Sequence, residues 1–212
     1  MKKRILCFGD SNTWGYDGQT GLRFDEDTRW TSLLQGLLGP EYAVLEEGQN
    51  GRTTVFADPV EGSKSGMAYL EPCLETANPL QAVVIMLGTN DAKDRFGCNA
   101  YQISQSVKRL GEIVLRRDYA PYKAPELLIV SPIEINGGIL AENDDQNFSQ
   151  VSAERSVDFS GHFVERAREL GCHFLDAAAY AQPGLADGVH LDAENHAKLA
   201  EALYQKLMDI LE

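Results

Sequence analysis

Short runs of β-branched and aliphatic residues recur along the chain, separated by stretches whose apolar positions return every three or four residues. The runs cover residues 4–8, 42–46, 82–87, 127–130 and, more weakly, 173–175. Each is too short for a helix and is expected to be a strand. Between the third and fourth runs, Ile103, Val107, Leu110 and Val114 mark one helical face, and Asn99 with Gln102 supplies a capping box at its start. Near the chain end, Ala200, Leu203, Tyr204, Leu207, Ile210 and Leu211 line the apolar face of a second clear helix, with Asp192 placed to cap it. Strand and helix alternating to the end predict right-handed crossovers and a parallel sheet covered on both faces, an α/β fold of three α/β/α layers. No repeat, linker or low-complexity tract interrupts it, and 212 residues are too few to split comfortably into two cores, so a single domain over residues 1–212 is expected. Residues 12–27, 52–65 and 132–147 do not fit the alternation and are expected to be functional loops or partner contacts.

Charge narrows the partners. Acidic residues outnumber basic ones, 32 to 19, and the formal charge of −13 repels phosphate backbones and anionic lipid surfaces. Nucleic acid and membrane are therefore not expected partners. The longest apolar run, residues 82–87, is far too short to cross a bilayer. Met1-Lys2-Lys3-Arg4 precedes only a brief apolar stretch before a polar turn, so no secretion signal is read and a soluble cytoplasmic protein is expected. Cys7, Cys73, Cys98 and Cys172 lie far apart, without C-x-x-C pairs or zinc-finger histidines, and are read as reduced, packed thiols.

In an open parallel sheet, ligands bind beyond the carboxyl ends of the strands, which puts the chemistry in the residues just after each run. The first strand is followed by Gly9-Asp10-Ser11-Asn12, which is neither G-x-G-x-x-G nor a P-loop, and neither G-x-S-x-G nor S-x-x-K. A serine there is, by itself, more often a turn or helix N-cap residue. The second strand runs into Glu46-Glu47-Gly48-Gln49-Asn50-Gly51-Arg52, and the third into Gly88-Thr89-Asn90-Asp91. If the strand order begins 2-1-3, Ser11 lies between Gly51 and Asn90. The Ser11 and Gly51 backbone N–H groups and the Asn90 amide then meet at one oxygen, as the anion of a tetrahedral acyl intermediate requires. A serine nucleophile also needs a base. Of the four histidines, His162 and His196 fall in helical stretches and His173 begins a strand, which leaves His190 on a loop with Asp187 three residues earlier. One turn can thus deliver an imidazole and the carboxylate that fixes its tautomer. The same two residues could instead merely shape the entry to the last helix; a metal pair is disfavoured because further ligands are not nearby.

Taken together, Gly9-Asp10-Ser11-Asn12, Gly51, Gly88-Thr89-Asn90-Asp91 and Asp187-Gly188-Val189-His190 resemble the four blocks of the SGNH (GDSL-type) hydrolase family, in order and nearly end to end. Asn12 stands where leucine is usual. Thr13-Trp14-Gly15, Arg29-Trp30, residues 46–54 and residues 86–91 look like the arylesterase and acyltransferase branch. The resemblance implies a flavodoxin-like five-stranded sheet of order 2-1-3-4-5. It implies a serine esterase in which Ser11, Asp187 and His190 are catalytic and Ser11, Gly51 and Asn90 form the oxyanion hole. It further implies a small ester substrate, no cofactor or metal, substrate contacts from Asn12, Trp14 and Val189 with a hydrophobic acyl pocket near Trp14, and homo-oligomers. Two other functions stay open: a carbohydrate O-acetylesterase, which Trp14, Tyr16 and Trp30 would suit equally well, and a non-catalytic small-ligand-binding domain of the same fold.

Overall fold

The computed structural model describes residues 1–211. Its strands are β1 (Lys3–Gly9), β2 (Tyr42–Gly48), β3 (Ala82–Met86), β4 (Glu126–Ser131) and β5 (His173–Asp176), paired in parallel in one sheet of order β2-β1-β3-β4-β5. The helices are α1 (Ser11–Trp14), α2 (Trp30–Leu38), α3 (Gly66–Ala77), α4 (Ala100–Arg116), α5 (Gly137–Asn143), α6 (Gln150–Val157), α7 (Phe159–Leu170) and α8 (Ala193–Leu211).

The central strands are apolar throughout because both of their faces are buried, and the two-residue period of a strand divides them between two cores. Leu6, Phe8, Val83, Ile85, Leu127 and Ile129 face one core, where Leu70, Leu74, Ile103, Val107, Leu110 and Phe163 from α3, α4 and α7 meet them. Ile5, Cys7, Val84, Met86, Leu128 and Val130 face the other, against Trp30, Leu34, Leu199, Leu203 and Leu207 from α2 and α8. Each such buried Leu or Ile contributes about 1.5–3 kcal/mol relative to exposure. The capping box on α4 is present: the Asn99 side chain accepts from the Gln102 backbone, and the Gln102 side chain accepts from the Asn99 backbone. Among the described residues, no helix is long and apolar enough to cross a membrane.

Two of the segments expected to be irregular carry structure. Residues 12–27 begin inside α1, and residues 132–147 contain α5. Asn136 starts α5 by accepting from the Gly138 and Ile139 N–H groups at 3.1 and 3.3 Å. Within α5 only Leu140 is buried, so the sequence carries no helical apolar period to read there. The Asn136 N–H and the Asn143 amide also donate to the carbonyls of Gly188 and Ala186, both at 2.8 Å, laying α5 along the loop that leads into α8.

Register positions the site. Gly9, the last residue of β1, pairs with Gly48 of β2 and Met86 of β3, so three strands end at one level and their following residues share one edge. Gly48 lets α1 approach that edge, since a Cβ there would lie 2.2 Å from the Trp14 nitrogen.

Candidate active site

The turn after β1 is held by Asp10. Its buried carboxylate accepts from the Asn12 N–H at 3.0 Å, and its carbonyl accepts from Thr13 and Trp14 at 3.1 and 2.9 Å. This starts α1 with Ser11 in its first position, where an N–H has no carbonyl to reach within the helix. Neither the Ser11 nor the Gly51 N–H donates to another protein group among the described residues. Gly51 has a left-handed φ of 76°, which favours glycine, and a Cβ there would lie 2.2 Å from Glu61 Oε2 and displace the tip of that side chain. Arg52 is a structural strut: its buried guanidinium donates to the carbonyls of Gly9, at 2.7 Å, and Glu47, and lies 4.3 Å from the centre of the Phe8 ring. It ties the ends of β1 and β2 beneath Gly51.

Asn90 opens a short 3₁₀ turn after β3 and is anchored by its amide, which donates to the Arg52 carbonyl at 3.1 Å and lies 3.5 Å from Asp10 Oδ2. The next residue, Asp91, accepts from the Thr54 N–H at 3.0 and 3.1 Å and from the Thr54 hydroxyl at 2.5 Å, fastening this turn to the loop after Gly51. Burial pushes the Asp10 carboxyl up to about 6, although the Asn12 N–H and the nearby charges of His190, Arg52 and Lys93 pull it down. Burial pushes Asp91 up to about 7 against the pull of its Thr54 hydrogen bonds, with the Asp10 charge adding to the rise.

The loop before α8 brings His190 and Asp187 to the same edge. One Asp187 oxygen, Oδ1, accepts from the Val189 and His190 N–H groups, both at 2.9 Å, and the other, Oδ2, lies 2.6 Å from His190 Nδ1. The three-residue spacing works because the carboxylate folds back over its own turn. His190 Nε2 lies 2.8 Å from Ser11 Oγ, across 179 residues of sequence. With a proton on Nδ1 facing the carboxylate, Nε2 is left to accept from the serine hydroxyl, a tautomer assigned from the hydrogen-bond network. Burial pushes the Asp187 carboxyl up, but its bonds to His190 outweigh that and hold it below the ordinary carboxylate value.

Ser11, His190, Asp187, Gly51, Asn90 and Val189 all line one cavity of about 380 Å³. Asn12 and Trp14, expected to touch the substrate, do not line it. The Asn12 side chain is buried and spent on the Val189 carbonyl and the Leu191 N–H, at 3.3 and 2.9 Å. Trp14 turns its ring toward the Arg23 guanidinium, 5.2 Å from the ring centre, and toward Tyr16. The rest of the cavity wall comes from Tyr16, Asn50 and Thr89, which the sequence reading named without a catalytic role, and from Gly18, Glu61, Lys93, Asp145, Asn147 and Phe148, which it passed over. The Tyr16 ring packs 4.4 Å from the imidazole of His190. Lys93 is paired with Glu61, and Arg95 bridges Glu61 and Asp58 at 2.5 and 2.7 Å. Burial would raise Asp58, but its bonds to Arg95 and the backbone hold it at about 2. For the six that the motifs passed over, the sequence signal was their place on or beside an irregular loop or just past the Gly88-Thr89-Asn90-Asp91 block. No group of three or more His, Cys, Asp or Glu side chains is placed to hold a metal ion among the described residues.

A five-stranded α/β/α sheet of order 2-1-3-4-5, with a Ser–His–Asp relay spanning its carboxyl edge, defines the SGNH class of hydrolases. The sequence model of the GDSL-like lipase/acylhydrolase family matches residues 7–198, and the chain belongs to that family and is a carboxylic ester hydrolase. Among solved structures, the chain is similar to a carbohydrate acetylesterase family member from Sinorhizobium meliloti, at 35% identity, covering 99% of both chains with a TM-score of 0.90. It is also similar to the aryl esterase of M. smegmatis, at 33% identity, covering 99% of this chain and 100% of that one with a TM-score of 0.89. A comparison with curated proteins returned no match.

Proposed function

We propose that this esterase cleaves small aryl and short-chain acyl esters through an acyl-enzyme on Ser11. The observation that carries the reading is the unbroken relay from Ser11 Oγ through His190 to Asp187, at 2.8 and 2.6 Å. Ser11 Oγ attacks the ester carbonyl while His190 Nε2 takes its proton, and Asp187 stabilises the imidazolium that forms. The oxyanion is met by the Ser11 and Gly51 N–H groups, which have no protein partner among the described residues, and by the Asn90 amide, whose long contact with Asp10 Oδ2 at 3.5 Å gives way to it. His190 then hands the proton to the departing alcohol, and afterwards takes one from water to release the acid. An alcohol in place of that water would turn the same acyl-enzyme to transfer. The four cysteines are free thiols, which supports a reducing, cytoplasmic setting.

The polar side chains of Asn50, Glu61, Lys93, Asp145 and Asn147 in the cavity wall leave little apolar surface for a long acyl chain, which favours short acyl groups. Activity on p-nitrophenyl esters should therefore be highest at acetate and fall towards octanoate; a rise with chain length counts against the small-ester reading. The same polar wall favours a second reading, deacetylation of sugars, and a larger kcat/KM on acetylated sugars than on aryl acetates would select it. Asn90→Ala should lower kcat by about two to three orders of magnitude, with little change in KM, if its amide meets the oxyanion. Unchanged turnover would remove Asn90 from that role.

A further inference from the structure

The side chain next to the serine joins the two halves of the relay. Asn12 Oδ1 accepts from the Leu191 N–H at 2.9 Å, and Asn12 Nδ2 donates to the Val189 carbonyl at 3.3 Å. The residues on either side of His190 thus hang from one amide, 3% exposed, that directly follows Ser11. That amide is itself anchored from two directions. The Asn12 N–H is held by Asp10 Oδ1 at 3.0 Å, and its carbonyl accepts from Trp30 Nε1 at 3.0 Å. The Trp30 N–H in turn donates to His196 Nδ1, on α8, at 3.3 Å.

We propose that Asn12 is a positioning residue that sets the contact between Ser11 and His190 by fastening the base-bearing loop to the nucleophile's own turn. The inference rests on the serine-esterase reading above. Asp187 and the bond from the Gly184 N–H to the His190 carbonyl, at 2.8 Å, fix His190 within its own loop. Neither ties that loop to the end of β1; Asn12 does. Displacement of a reacting group by about 1 Å costs up to about a hundredfold in rate, so a clamp at this point acts on turnover and not on substrate affinity. Leucine, usual here in the family, is bulkier than asparagine and would crowd this buried site. In this chain it would leave the Val189 carbonyl and the Leu191 N–H without partners beside side chains that are only 5% and 1% exposed.

The test compares the parent, Asn12→Leu, Asn12→Asp and Ser11→Ala on p-nitrophenyl acetate, well below the melting temperature of each. Asn12→Leu is expected to lower kcat by about ten- to a hundredfold with KM within about threefold, and to slow phosphonylation of Ser11 by an organophosphorus ester in parallel. A purely structural residue would lower the melting temperature and leave both rates of the folded enzyme unchanged. Asn12→Asp keeps the acceptor for Leu191 and loses the donor to Val189, so it should fall between parent and Asn12→Leu. It stands in for the leucine variant if that one does not fold. Parent-like kcat and phosphonylation in the folded variant overturn the clamp alone. Parent turnover no faster than that of Ser11→Ala overturns the clamp and the serine-esterase reading together.

Discussion

Ser11→Ala is expected to lower kcat on p-nitrophenyl acetate by about five to six orders of magnitude, and to leave the fold intact. The size of the loss follows from the chemistry: without Oγ no acyl-enzyme forms, and the oxyanion donors alone recover only a small part of the rate. The fold should survive because Oγ makes its one hydrogen bond to His190 Nε2, while α1 is held by Asp10 through backbone groups. Stopped assays with parent and variant, alongside thermal melts, check both halves. Residual turnover within about a hundredfold of the parent, in a variant that melts normally, would take Ser11 out of the nucleophile's role.

Asp187→Asn should cost about four orders of magnitude in kcat, although it changes a single atom. The hydrogen bonds show why. Oδ1 already accepts from the Val189 and His190 N–H groups, so in the variant the amide oxygen takes that position and the NH₂ faces His190 Nδ1. An imidazole that accepts at Nδ1 must carry its proton on Nε2, which then points a donor at Ser11 and cannot take the serine proton. A loss below about tenfold would mean that Asp187 merely shapes the loop. The variant also has a signature in stability. The folded Asp187 carboxyl lies below its ordinary value of 3.8, so the folded chain binds its proton more weakly than the unfolded chain does. That stabilising contribution is present above 3.8 and is lost as pH falls from there through the folded value. The gap in melting temperature between parent and Asp187→Asn should therefore begin to narrow only as pH falls towards and below 3.8. A constant gap would show that the pairing with His190 does not stabilise the ionised carboxylate.

What could be read from the sequence was local or periodic. The strands at residues 4–8 and 82–87 stood out because burial on both faces makes residues 5–8 and 82–87 apolar without interruption, and the Asn99–Gln102 cap because its partners are three residues apart. Asp187 and His190 were legible for the same reason: the carboxylate reaches the imidazole within one turn. Ser11, Gly51 and Asn90 were found by their place after strands, and the register of Gly9 with Gly48 and Met86 puts all three at one edge. What only the tertiary structure decided depends on groups that meet across long stretches of chain. Asn12 is chemically fit to face a substrate, and it is spent instead on Val189 and Leu191, because the last loop comes down on α1. Tyr16 packs on His190, and Lys93 pairs with Glu61 at the cavity wall, with no periodicity or spacing to announce either contact. The period of an element records which of its faces is buried, so the sequence by itself determined the strands, the helices α4 and α8, and the edge that carries the chemistry. Side chains on loops obey no period, and their partners are chosen by the fold that brings the loops together.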